Sequence, residues 1–144
     1  MTAPVQDTPI VTCTIVADGD RLNFLPTFFG KYYMAAEGLL YTHARKFVQG
    51  YNGGFWNYFT LSNGGCFAAL DTQETQHIVI ADNYCSEHMS AEAAGITLTL
   101  FVFGRLLGAN IPESESDKFI ELYHKLRDFA LGHPEAQSIL TAID

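Results

Sequence analysis

The most apolar stretch of the chain predicts a buried central helix. No charged residue occurs from Ala93 to Gly104, and the apolar side chains leave no consistently polar face. A helix that is apolar on nearly all sides is buried on most of them. Glu92 and Arg105 flank this one too closely for it to span a bilayer, which takes about 20 apolar residues. The Ser90 hydroxyl is placed to cap its first turn. We therefore expect the other elements to pack around this helix.

Shorter patterns in the first half of the chain predict β-strands. Alternation of apolar and polar residues, or runs of aromatic and β-branched residues, indicates strands at 11–15, 55–61, 66–70 and 77–81. The dipeptide Asn63-Gly64 between the second and third of these predicts a type I′ hairpin turn, in which both residues adopt positive φ. We expect the last three strands to form an antiparallel meander, with the first strand available to join an edge.

Helical periodicity accounts for most of the remaining chain. A short apolar turn at 22–29 precedes an amphipathic helix at about 33–49. After the central helix, Ser114 or Ser116 is expected to cap a further helix, and Pro134 fits the first position of a last short one. The predicted class is α+β, a small antiparallel β-meander packed with a buried central helix and surrounding helices. Residues 82–88 are expected to form a loop leading into the central helix.

The size and charge of the chain limit the number of domains and the classes of partner that we expect. We expect a flexible N-terminal tail at 1–10 and a single domain at 11–144, because 144 residues most simply form one domain. Sixteen acidic and eight basic residues give a net charge of −8, which disfavours direct nucleic acid binding. That many acids is modest for a DNA mimic, so solubility is the simpler explanation.

Cysteine usage and the N-terminal residues bear on the compartment. The three cysteines are widely spaced, as in proteins with reduced thiols rather than a disulfide framework. The first ten residues lack the basic and apolar regions of a secretory signal. Both features favour a cytoplasmic protein, and no segment predicts a membrane span.

A few cysteines and histidines are candidates for chemistry. Cys85 and His88 are separated by two residues, and Cys66 and His77 are possible further metal ligands. Zinc sites usually show two close pairs, and only one is present here, so a metal site is not favoured. Cys85 could instead act as a nucleophile with His88 or His77 as its base. An enzyme using the loop before the central helix, with Asp82, Cys85 and His88 as its polar groups, therefore stays open.

Seven segments are more informative about function than these local patterns. They follow one another along nearly the whole chain after residue 20. They lie at 24–30, 51–56, 61–65, 82–84, 89–96, 123–129 and 133–144. Examples are Tyr51-x-Gly53-Gly54-x-Trp56 and the stretch 89–96, which reads MSAEAAGI. Together they resemble the signature of the antirestriction proteins of the ArdB/KlcA type.

This resemblance implies a function that composition alone does not reveal. It implies a plasmid- or mobile-element-encoded, non-enzymatic inhibitor that protects incoming plasmid or phage DNA from type I restriction–modification in the cytoplasm. The family has no known catalytic residue, metal or cofactor, so none is expected here. The implied partner is a protein in, or linked to, a type I restriction enzyme, and we expect a monomer.

Turns on a rigid scaffold often carry function. We therefore assign a candidate interaction surface to the turn residues of two segments, Asp82, Asn83, Tyr84, Asn63 and Gly64. The competing interpretation is that these residues only determine the fold.

Overall fold

The computed structural model describes residues 10–144, and these form five strands and five α-helices. In chain order they are β1 Cys13–Ile15, α1 Arg21–Phe29, α2 Tyr33–Phe47, β2 Trp56–Leu61, β3 Cys66–Leu70, β4 Gln76–Ile80, β5 Cys85–Met89, α3 Ala91–Leu107, α4 Glu113–Leu131 and α5 Ala136–Ile143. The predicted α+β class is confirmed. The predicted tail lies outside the described residues except for Ile10.

Helix α3 is the buried centre of the molecule, as the sequence predicts. It packs against β3 and against α2, α4 and α5. Its first turn is capped as expected, since Ser90 Oγ accepts a hydrogen bond from the Ala93 amide at 3.1 Å. Neither α3 nor any other helix within residues 10–144 combines the length and hydropathy needed to cross a membrane.

The close contact between α3 and β3 depends on two residues of the helix. A Cβ at Gly95 would overlap the backbone of Ala68 and the side chain of Ala69, so only glycine permits this approach. One turn later, Thr99 Oγ1 accepts a hydrogen bond from the Ala68 amide at 3.2 Å and donates one to the Gly95 carbonyl at 2.8 Å. The helix thus covers β3, whose edge would otherwise expose unpaired backbone groups.

The strands form two separate antiparallel sheets rather than the predicted meander of 55–61, 66–70 and 77–81. The order of the first sheet is β1-β2-β3, so the N-terminal strand does join an edge, next to β2. The last strand of the predicted meander, β4, instead pairs with β5 in a second sheet. The physical reason is that α3 occupies the side of β3 where β4 would have paired.

The loop predicted at 82–88 is also wrong. The structure has a 3₁₀ turn at Ala81–Asn83 and then strand β5. The strand alternates, with Cys85 and Met89 buried and Ser86 and His88 exposed. Because its outward residues are polar and it lacks β-branched residues, its composition is typical of a loop.

Two helix starts differ from their predictions. Helix α4 begins directly after Pro112, whose carbonyl accepts hydrogen bonds from the Glu115 and Ser116 amides, so neither Ser114 nor Ser116 caps it. Helix α5 begins at Ala136, two residues later than the prediction from Pro134. These are errors of boundary, and the helices themselves are where periodicity places them.

Candidate functional site

The β4–β5 hairpin ends in an exposed tyrosine with an unusual backbone. Tyr84 has φ 57°, and it is the only residue other than glycine with positive φ within 10–144. Its side chain is 96% exposed and takes part in no hydrogen bond with the described residues. Asp82, two residues earlier, is also exposed. The pair presents an aromatic ring and a carboxylate at the tip of a hairpin.

Asn83 lies between these two residues but points into the fold. Its Nδ2 donates to the Ala142 carbonyl in α5 at 2.9 Å, and its Oδ1 accepts from the Cys85 amide at 3.1 Å. The side chain therefore fixes the turn and attaches it to a helix. Such bonds give Asn83 a structural role that neither neighbour shares.

Asn63 in the β2–β3 turn makes the same pair of bonds. Its Nδ2 donates to the Lys125 carbonyl in α4 at 2.9 Å, and its Oδ1 accepts from the Gly65 amide at 3.0 Å. The Gly64 amide donates to the Leu61 carbonyl at 2.9 Å, which closes the turn.

The type I′ prediction for this turn is wrong, because Gly64 alone has positive φ, at 91°. A three-residue loop that ends in a bulge glycine explains both this geometry and the hydrogen bonds.

The two turns are therefore held by different helices. Asn63 is attached to α4 and Asn83 to α5, and no hydrogen bond or ion pair within residues 10–144 joins one turn to the other. The structure groups Asp82 with Tyr84 at the second tip. It does not connect Asn63 and Gly64 to them.

The proposed catalytic pairing of Cys85 with His88 has unfavourable geometry. Residues three apart on a strand point to opposite faces, so the Cys85 thiol lies inside while His88 is exposed. Burial, and then the negative charge of Glu87, raise the pKa of the Cys85 thiol. A thiol of this kind is a weak nucleophile at neutral pH.

His77 and His88 face away from Cys85. His77 lies opposite His88 on the outer face of the β4–β5 sheet, and the two rings stack with centroids 4.1 Å apart. Cys66 is fully buried in the core, and this burial raises the pKa of its thiol. Within residues 10–144, no three His, Cys, Asp or Glu side chains lie close enough to hold one metal ion.

A polar cluster at the start of α3 was not predicted from the sequence. Ser90 donates from its amide to Glu135 Oε1 at 2.8 Å and from its hydroxyl to the other carboxylate oxygen. His133 Nε2 lies 2.6 Å from Glu92 Oε2, and His133 Nδ1 accepts from the Glu135 amide at 3.0 Å.

Because His133 Nδ1 accepts a hydrogen bond, His133 Nε2 carries the proton and donates a hydrogen bond to Glu92. The cluster joins the segments 89–96 and 133–144 through residues that lie 41 and 45 positions apart, and it gives those residues a role in the fold.

Comparison with known proteins identifies close relatives. Residues 49–144 match a family model described as Antirestriction protein. One Antirestriction protein KlcA from Escherichia coli is 45% identical over 140 residues, spanning 96% of this chain and 98% of the relative. A second protein of that name and organism is 39% identical, spanning 97% of this chain and 98% of its own length.

A solved structure extends the similarity to the fold. It superimposes with a TM-score of 0.87 at 41% identity, covering 99% of this chain and 100% of the other. The description of that structure states that the KlcA and ArdB proteins show a novel fold. It also states that they show antirestriction activity against type I DNA restriction systems in vivo but not in vitro.

Proposed function

The chain belongs to the antirestriction protein family, and from this we propose that it is a non-enzymatic inhibitor of type I restriction–modification. In this role it would protect incoming plasmid or phage DNA in the cytoplasm. The observation that carries the proposal is the match over nearly the whole chain to a structure described as antirestriction-active against type I systems in vivo.

The contrast between in vivo and in vitro activity in that relative shapes the mechanism. An inhibitor that acts only in cells requires something that the purified restriction system lacks. We propose that this requirement is a protein partner in, or linked to, the restriction enzyme, bound by a monomer of this chain. The separation of Cys85 from His88 on opposite faces of β5 supports binding rather than catalysis.

We propose that Asp82 and Tyr84 form the partner-binding tip. A residue other than glycine in the left-handed region costs about 1–2 kcal/mol, and the exposed Tyr84 ring makes no hydrogen bond to residues 10–144 that would offset this cost. Tyrosine is also common among the residues that dominate binding energy at protein interfaces. A contact with a partner would account for both the exposure and the backbone conformation.

Charge distribution supports a protein partner over DNA. No lysine or arginine occurs at 47–104 or 128–144, the segments that contain β2 to β5 and α5. The β4–β5 hairpin, which has the acids Asp82 and Glu87 and no lysine or arginine, therefore repels phosphates and attracts a basic protein surface. We expect no gel shift of duplex DNA at low micromolar protein and physiological salt, whereas a shift that weakens steeply with added salt would contradict this expectation.

The test is a restriction assay in cells. Unmodified phage is plated on hosts with and without a type I system, each carrying either the expressed protein or an empty vector. We expect the protein to raise plating efficiency only in the restricting host and to leave cleavage by the purified restriction enzyme unchanged. Equal restriction with and without a stably expressed protein, across several type I families, would refute the function.

A further inference from the structure

We propose that the cleft between α2 and the loop at 50–55 binds a small oxyanion, either a phosphate group or a carboxylate. This loop and the first residue of β2 form the Tyr51–Trp56 motif, which the antirestriction proposal does not use. The cleft has a volume of about 380 Å³ and is lined by Tyr41, Arg45, Tyr51, Asn52, Gly53 and Gly54. A volume of this size suits a small molecule.

Among the described residues, one cation, Arg45, and no carboxylate line the cleft. Arg45 forms no ion pair with any residue in the range 10–144, and its one hydrogen bond is a long 3.5 Å contact to the Thr42 hydroxyl. Its guanidinium therefore retains most of its five donors, whose planar arrangement matches a carboxylate or phosphate. A ligand with several acceptor oxygens would fill these positions.

The two tyrosines of the cleft are suited to act as further donors. Trp56 Nε1 donates to the Tyr51 hydroxyl oxygen at 3.3 Å, which leaves the hydroxyl hydrogen of Tyr51 available. The Tyr41 hydroxyl is protonated at neutral pH, as tyrosines ordinarily are, and burial, followed by the charge of nearby Glu37, raises its pKa further. Both rings thus add donors beside the guanidinium.

The loop backbone adds unpaired amides. Gly53 and Gly54 have φ of 107° and 149°, a conformation that other residues rarely adopt. A Cβ at Gly53 would meet nothing within 4 Å, so the backbone conformation rather than packing requires glycine there. Within the described chain, the amides of Asn52, Gly53 and Gly54 donate to no protein acceptor. Successive unpaired amides near a cation favour an anion.

A neighbouring cavity that shares the glycine loop provides an internal contrast. It has a volume of about 230 Å³ and shares residues 51–54 with the Arg45 cleft. Among the described residues, its other lining residues include Asp71 and Glu74 and no lysine or arginine. The Arg45 cleft, rather than the acid-lined cavity, is therefore the one that favours an anion.

Trp56 offers a direct test. It is the only tryptophan of the chain and contacts the cleft through Tyr51. The protein is titrated with sodium phosphate and, separately, with sodium acetate at ionic strength held constant with sodium chloride. Trp56 fluorescence and the amide NMR shifts of Gly53 and Gly54 are recorded together. We expect saturable changes with at least one oxyanion, and the anion that saturates identifies the ligand class.

Matched variants separate a site from general charge attraction. Arg45→Gln should weaken the oxyanion at least about tenfold, the usual consequence of losing a hydrogen bond from a charged donor. Lys46→Gln removes the same charge from the neighbouring residue, which lies over the Phe47 ring rather than in the cleft, and should change affinity less than about twofold.

Two results would overturn the proposal. One is the absence of saturable change in both readouts with both oxyanions. The other is an equal loss of affinity in Arg45→Gln and Lys46→Gln, which would mean that the anion responds only to net charge. Antirestriction activity is not measured in either case, so failure of this site and failure of the proposed function remain distinguishable.

Discussion

The two hairpin turns of this molecule share the same asparagine bonds but differ in the residue that has positive φ. In each, an asparagine side chain accepts from the amide two residues later and donates to a carbonyl of a C-terminal helix: Asn63 to α4 and Asn83 to α5. Each turn then has one residue with positive φ. In the first that residue is Gly64, whereas in the second it is Tyr84.

From this difference we infer which residues of the candidate surface serve the fold and which are left to contact a partner. The shared hydrogen bonds give Asn63 and Asn83 a role in the fold. Gly64 is the expected residue for its conformation. Tyr84 is not, because its backbone is strained and its ring is 96% exposed. The comparison therefore narrows the proposed partner contact to Tyr84 and its exposed neighbour Asp82.

Replacing the glycine of the first turn with a branched residue tests most strongly whether that turn requires glycine. Gly64→Val should lower the free energy of unfolding by about 1–3 kcal/mol, because a β-branched side chain is strained at φ 91° and its Cβ would lie about 3.1 Å from Lys125 Nζ. Urea unfolding measures the change.

Gly38→Ala is the control for this first prediction. Gly38 lies inside α2 with open space around it, so alanine there should be neutral or stabilise by about 0.5–1 kcal/mol. Equal stability of Gly64→Val and wild type would show that the turn does not require glycine.

The asparagines give the second test. Asn63→Ala and Asn83→Ala should each cost about 1–2 kcal/mol in urea unfolding, because each variant removes two hydrogen bonds that attach a turn to the fold. Asn52→Ala, which removes an exposed side chain without such bonds, should stay within about 0.5 kcal/mol of wild type. If Asn83→Ala were as stable as Asn52→Ala, Asn83 would return to the functional surface beside Tyr84.

In the second turn, the opposite substitution should stabilise the fold. Tyr84→Gly should raise the free energy of unfolding by up to about 1 kcal/mol, because glycine relieves the left-handed strain but adds entropy to the unfolded chain. The same urea unfolding detects it. A loss of stability larger than about 1 kcal/mol would show that the Tyr84 ring supports the fold, and the functional assignment would then fail.

Sequence patterns located the helices because apolar residues recur at helical spacing along their buried faces. Apolar residues mark α3 over its whole length, and Ser90 caps it by a local bond that its position predicts. Strand pairing was missed because it depends on Gly95 and Thr99, which bring α3 against β3. Nothing near β4 in the sequence shows that this side of the first sheet is occupied.

The site was harder to predict, for the same reason. The carbonyls that hold Asn63 and Asn83 lie 62 and 59 residues further along the chain, so no local pattern distinguishes these two from exposed asparagines. The positive φ of Tyr84 follows from the short turn that precedes β5, a strand that composition does not indicate. The pattern of turn residues pointed to the tip that we propose binds the partner, but it could not rank the residues of that tip.

The most direct test of the proposed function is the protection that a Tyr84→Ala variant gives in cells. Unmodified phage is plated on a type I restricting host that expresses wild type, Tyr84→Ala, or the control Tyr33→Ala, which removes a partly exposed tyrosine from α2. Immunoblots and melting temperatures are compared for all three. We predict that Tyr84→Ala loses at least about tenfold of the protection at unchanged abundance and stability, as expected for an interface anchor, while Tyr33→Ala protects like wild type. Full protection by a stable Tyr84→Ala protein would contradict the account.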